Sequence, residues 1–210
     1  MRLLLIRHGE STANAEHRLQ GHLDIPLNDR GRRESDLLAE RLSRLTIDAL
    51  YSSPLSRARE TAETVAKRVG LDVIERPALM ERDVGELAGL TREEIRARYP
   101  EYVRARAAGD SNVTVAGYES DDDLAQRVMR VLEETVGDHP RQTVAVVTHG
   151  GVIAVVCRQT LQMPVARPGP FAVSNVGITT FDMREGDSDP WVRPRMQLVT
   201  LNDTCHLDGT

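Results

Sequence analysis

Five side chains in this sequence have the types needed for chemistry on a phosphate ester: Arg7, His8, Arg57, Glu81 and His149. They stand in the strings Arg7-His8-Gly9-Glu10-Ser11, Ser53-Pro54-Leu55-Ser56-Arg57-Ala58, Met80-Glu81-Arg82 and Thr148-His149-Gly150-Gly151. A neutral imidazole is a good nucleophile toward phosphorus. It can take a phosphoryl group and pass it to water, dividing one hard step into two easier ones. Arginines and a second histidine can stabilise the negative charge that spreads over the transferring group. The departing alcohol needs a proton, which a partly desolvated carboxylic acid can supply. His8, His149 and Glu81 could also be read as metal ligands, but the arginines beside them would repel a cation. Of the other histidines, His17, His22 and His139 show no ligand spacing.

These groups have to be held by backbone elements, and the apolar pattern indicates which. Residues 3–6 form a short apolar run that ends at Arg7, reading as a buried strand followed by a loop. Residues 143–147 (T-V-A-V-V) are the strongest strand pattern and lead straight to His149. Residues 49–51, 73–74, 177–183 and 194–201 supply further strands. Asn28 caps a helix over 29–45, with Leu37, Leu38, Leu42 and Leu45 on one face. A second helix opens at Pro54 and stops at Gly70. Thr91 and Glu94 form a capping-box pattern for a third, which ends before Pro100. Residues 107–120 read as looser chain, and helices follow over 121–136 and 152–162. Asp121, Asp122 and Asp123 read as the acidic first turn of a helix rather than a metal site. Pro164, Pro168 and Pro170 mark a loop, because too little chain follows for a second core. Alternating strands and helices predict an α/β fold: one domain over 1–210, a three-layer sandwich whose mostly parallel central sheet is flanked by helices. Ligands bind such sheets at the carboxyl ends of the strands, where His8 and His149 both fall.

Composition excludes several other classes. With 210 residues, 40% hydrophobic and 28% charged, the chain matches soluble globular proteins rather than fibrous or disordered ones. No apolar run is long enough for a membrane span. The net charge of −5 and 3% aromatic content argue against a nucleic-acid partner. Of the 27 basic residues only Lys67 is lysine, so there is no phosphate-binding loop of the G-x-x-x-x-G-K type. Cys157 and Cys205 lie far apart, as in a reduced, cytoplasmic protein.

In this order, R-H-G-E, S-P-L-x-R-A and T-H-G-G resemble the histidine phosphatase superfamily, the phosphoglycerate mutase-like proteins, over nearly the whole chain. The resemblance implies that His8 becomes phosphohistidine, that Arg7, Asn14, Arg57 and His149 bind the phosphate, and that Glu81 protonates the leaving group. Arg59 and Glu86 compete with Arg57 and Glu81 by proximity in sequence. Gln20 and Gly21, in the segment that also holds Arg18, are expected to line the same cleft, with Gly150 and His206 as further pocket candidates. No metal and no cofactor is implied. Three departures lie on the leaving-group side: Val84, Ala88 and Tyr118. The cofactor-dependent mutases carry an insertion with paired arginines where this chain has only the short stretch 104–117, which favours the phosphatase branch. A mutase, and a non-catalytic phospholigand-binding module on the same fold, are the alternatives. The expected partner is a small phosphorylated metabolite such as phosphoserine, a phosphoglycerate, a sugar phosphate or a nucleotide-pathway monoester. A homodimer is compatible with the chain. The tail 202–210, with His206, either folds over the pocket or frays.

Overall fold

The computed structural model describes residues 1–110, 113–163, 171–183 and 196–208. Strands β1 (Arg2–Arg7), β2 (Ala49–Ser52), β3 (Val73–Glu75), β4 (Thr143–Thr148), β5 (Ile178–Met183) and β6 (Met196–Asp203) form one sheet in the order β3-β2-β4-β1-β5-β6. The first four run parallel, while β5 pairs antiparallel with β1 and β6 antiparallel with β5. The helices are α1 (Thr12–Ala15), α2 (Asp29–Leu42), α3 (Ser56–Val69), α4 (Arg92–Arg98), α5 (Pro100–Ala108), α6 (Asp121–Asp138) and α7 (Gly150–Thr160). This is the α/β arrangement with a mostly parallel central sheet that the alternating pattern predicts.

Both faces of the central strands are covered, which is why they read as continuous apolar runs instead of alternating ones. Leu3, Leu5, Val144 and Val146 pack with Leu124, Val128 and Leu132 of α6 and Val152 and Val156 of α7. Leu4, Ile6, Ala145 and Val147 pack on the other face with Leu38 and Leu42 of α2 and Ala58, Ala62 and Val65 of α3. Each large side chain fully buried there contributes about 1.5–3 kcal/mol.

Several boundaries differ from the sequence expectation. Helix α2 stops at Leu42, leaving Leu45 exposed beyond its apolar face. Helix α3 starts at Ser56, so Pro54 lies just ahead of it, and it ends at Gly70 in the left-handed conformation (φ 74°). The capping box of Thr91 and Glu94 forms with both of its hydrogen bonds. Pro100 ends α4 but also opens α5 as its first residue, where a missing N–H costs nothing. Helix α7 begins at Gly150, two residues before its apolar run. The start of the expected strand at 194–195 and the proline loop at Pro164, Pro168 and Pro170 lie outside the described residues. Among the described residues no helix is long and apolar enough to cross a membrane.

Strand order creates the site. β1 and β4 are parallel neighbours with Arg7 opposite Thr148. The next residue of each strand is a histidine, so two histidines far apart in sequence leave the same sheet edge side by side.

Candidate active site

His8 and His149 meet edge-on with ring centroids 5.1 Å apart. His8 is 3% exposed, and its backbone N–H donates to the Thr148 carbonyl at 2.9 Å. Its Nδ1 lies 2.7 Å from the Gly9 carbonyl oxygen. A carbonyl only accepts, so Nδ1 carries the proton and Nε2 presents a lone pair. Burial, then the charges of Arg57 and Arg7, hold its pKa well below the ordinary 6.5. His8 is therefore a neutral imidazole of defined tautomer, with its Nε2 lone pair unengaged.

The second histidine complements it. His149 Nε2 lies 2.8 Å from the Ser53 hydroxyl, which already accepts from Leu55 N–H. When that hydroxyl donates its proton to Nε2, the ring proton sits on Nδ1, which is buried and has no hydrogen-bond partner within the protein. Burial, with His8 and Arg57 as further causes, keeps this imidazole neutral as well.

Among the buried polar atoms that share that property, two lie beside this histidine pair, Arg7 Nε and Arg57 Nε. Arg57 sits in the first turn of α3 and is 1% exposed. Its guanidinium is steered by bonds to the Leu23 carbonyl (2.8 Å) and the Gly21 carbonyl (2.9 Å). Burial lowers its pKa to about 10, which leaves it cationic at neutral pH. Arg7 donates to the Val173 carbonyl at 2.6 Å, and burial likewise lowers its pKa. Buried donors normally have partners, so three orphans around one histidine pair describe a receptor for an anion. Gly21, at φ +51°, lets its carbonyl reach Arg57, and a Cβ there would press on Val84 at 2.6 Å.

Asn14, in the one-turn helix α1, accepts from Ser11 N–H through Oδ1 (3.2 Å), which leaves its Nδ2 for the cleft. The Ser11 hydroxyl also donates to Gln20 Oε1 at 2.9 Å, fixing a second amide on that wall. Glu81 is held from both sides: Oε1 accepts from Arg82 N–H (2.8 Å) and Oε2 from Gly151 N–H (3.0 Å) in the first turn of α7.

Arg7, His8, Asn14, Gln20, Gly21, Arg57, Glu81 and Gly150 thus border one cleft of about 340 Å³. Arg59 and Glu86 border no part of it. The first lies beside Glu63 on the exposed side of α3, and the second accepts from the Tyr99 hydroxyl. His206 must be corrected: it does not reach the cleft. The turn Cys205–Leu207 packs on α2, Leu207 joins the core under α2 and α3, and His206 lies beside Val176, Arg41 and Asp203. The apolar pull of that core decides where the tail goes. Among the described residues, no three His, Cys, Asp or Glu side chains cluster as a metal set.

Sequence reasoning missed four residues. Ser53 orients His149, and Gly151 seats Glu81. Asn175 donates to the His8 carbonyl at 2.9 Å. Arg127 of α6 donates to the carbonyls of Ala78, Met80 and Glu81 and pairs with Glu119 at 2.6 Å. Ser53 and Gly151 lie inside the quoted strings and were within reach. Asn175 and Arg127 act across long sequence separations with no local signal.

A parallel sheet whose two histidine-ending strands face a carboxylate, inside a ring of buried arginine donors, defines a phosphoryl-transfer site built on histidine. The model for the histidine phosphatase superfamily (branch 1) matches residues 3–192, and the chain belongs to that family. It is 36% identical to phosphoglycerate mutase-like protein 4 of Arabidopsis thaliana, over 99% of this chain and 87% of that protein. It is 35% identical to phosphoserine phosphatase 1 of Hydrogenobacter thermophilus, over 99% of this chain and 94% of that one. A solved mycobacterial glucosyl-3-phosphoglycerate phosphatase superposes with a TM-score of 0.83 at 30% identity, covering 96% of this chain and 98% of that one. The chain is a phosphomonoesterase of the histidine phosphatase type.

Proposed function

We propose that the protein hydrolyses small phosphomonoesters through a phosphohistidine on His8, with Glu81 as proton donor and no metal ion. The observation that carries this reading is the bare Nε2 of a neutral His8, set among the unpartnered donors of Arg7, Arg57 and His149. In the first step Nε2 attacks phosphorus and the ester P–O bond breaks. Glu81 gives its proton to the departing alkoxide oxygen, and the arginines and His149 hold the phosphoryl oxygens. In the second step Glu81 takes a proton from water as the water attacks phosphorus. The N–P bond breaks and His8 is restored with inorganic phosphate as product. The Gly9 carbonyl keeps the Nδ1 proton throughout, so His8 never has to change tautomer.

Transfer to water fits better than transfer to a second substrate site. A mutase must hold a doubly phosphorylated intermediate, which requires a second set of free cations. At the far end of this cleft, among the described residues, Arg18 and Arg82 are already engaged by carboxylates.

The test is phosphate release from a panel of small monoesters in EDTA, wild type against His8→Ala. Full activity in EDTA and at least about a 10³-fold loss in the variant are expected. Substantial turnover by a folded His8→Ala protein would remove the nucleophile assignment. Activity that vanishes in EDTA and returns with a divalent ion would remove the metal-free reading.

A further inference from the structure

The end of the cleft away from His8 has a chemistry of its own. Its wall comes from the segment between β3 and α6, where Val84, Leu87 and Ile95 form a small apolar cluster separate from the main cores. Val84 and Ile95 border the cleft, joined by Leu19, Tyr102 and Tyr118. The two tyrosine rings lie 5.9 Å apart, and burial raises the Tyr102 pKa, so its hydroxyl stays neutral. Val84 is buried and offers a substrate no hydrogen bond.

Among the described residues, the two cations at this end, Arg18 and Arg82, are engaged. Arg18 binds Glu94 (3.0 Å), Glu16 (3.2 Å) and the Gly89 carbonyl (2.8 Å). Arg82 binds Asp121 and the Glu119 carbonyl (2.9 Å), and its guanidinium covers the Tyr118 ring at 5.4 Å. A second anionic group on the substrate would have to leave water and compete with Asp121 for the mostly buried Arg82, which costs more than it returns. At the part-exposed Arg18 it would have to displace Glu94 or Glu16. An apolar group entering the same space gains against Leu19, Val84 and Ile95 and leaves both pairs intact.

We infer that the alcohol released by this enzyme is uncharged and largely apolar, an aliphatic or aryl alcohol rather than an amino acid or a hydroxy acid. This rests on the hydrolase reading above and narrows it.

The experiment compares kcat/KM in EDTA for n-alkyl phosphates from ethyl to octyl, with phosphoserine and 3-phosphoglycerate alongside. The alkyl alcohols have nearly equal acidity, so proton donation by Glu81 is constant along the series and differences report the wall. A rise of about threefold to fourfold per methylene is expected until the wall is covered. Phosphoserine and 3-phosphoglycerate should fall about 100-fold or more below hexyl phosphate, the size of loss that follows burying an unpaired charge. Leu19→Asn, on the exposed rim, and Val84→Asn, on the buried wall, should each flatten the chain-length dependence. The rim variant keeps the test sound if the buried one folds poorly. A flat series, or phosphoserine or 3-phosphoglycerate matching hexyl phosphate, overturns the inference and leaves the hydrolase reading standing. Absence of any His8-dependent release overturns both.

Discussion

Gly151, by lacking a Cβ, makes room for the proposed proton donor. Its N–H holds Glu81, and any side chain at that position would be driven into the Glu81 carboxylate. The group in the way is the far end of a flexible side chain, so it can swing aside at little cost to the fold. Alanine also favours helix over glycine by roughly 0.5–1 kcal/mol. Gly151→Ala should therefore leave the melting temperature unchanged or slightly raised, while turnover of alkyl phosphates falls by about 10²-fold, the usual effect of misplacing a proton donor. Nitrophenyl phosphate, whose leaving group needs no proton, should lose far less. Parallel losses on both esters would show that Gly151 supports the phosphate ring and not the acid. Gly150 behaves differently: a Cβ there would meet the Arg7 side chain only at ordinary contact distance (3.7 Å).

Between residue and fold stands the loop that carries Glu81, tied down by a neighbouring helix. Arg127 of α6 collects the carbonyls of Ala78, Met80 and Glu81 and anchors its charge on Glu119. Removing it strands a mostly buried carboxylate and three carbonyls, so Arg127→Met should cost about 3 kcal/mol or more, a fall in melting temperature of roughly 6–12 °C for a chain of this length. Catalysis should suffer at temperatures where the variant is still folded, and a variant with wild-type melting and turnover would show that the clamp is ornamental. No local pattern could have singled out Arg127, one of 26 arginines, because the carbonyls it binds lie 46–49 residues away. The elements themselves were legible because they follow local rules: apolar runs for β1 and β4, caps at Asn28, Thr91 and Gly70, and strand-ending histidines. Arg57 was legible because S-P-L-x-R places it in the first turn of α3. The adjacency of β1 and β4 was not, since strand order depends on which helices cover which face. Helix α5 escaped because Pro100 reads as a stop and is also a start. His206 was misjudged because nothing near it says that Leu207 prefers the core under α2.

Taken as a folded whole, the molecule keeps two imidazoles neutral that the unfolded chain would protonate. The folded pKa values of His8 and His149 lie well below 6.5, chiefly through burial. Above pH 6.5 neither state binds a proton at these rings, and their contribution to stability is complete. As pH falls below 6.5 the unfolded chain takes up protons that the folded one refuses, so stability drops, by up to about 1.4 kcal/mol per pH unit for each histidine. Urea midpoints measured from pH 7.5 to 5 should fall more steeply for wild type than for His149→Asn; equal slopes would show that this ring titrates normally in the fold. The same pocket also couples folding to its own product. Three buried donors without partners and like charges gathered around His8 mean that the resting enzyme holds its fold against the pocket. On the function proposed above, inorganic phosphate should relieve that opposition by binding the folded state alone. At 100 times its dissociation constant it should add about 2.7 kcal/mol, a rise of roughly 5–11 °C in melting temperature. On that reading the product is both stabiliser and competitive inhibitor, and the protein should be most robust when its pocket is full and it is least active.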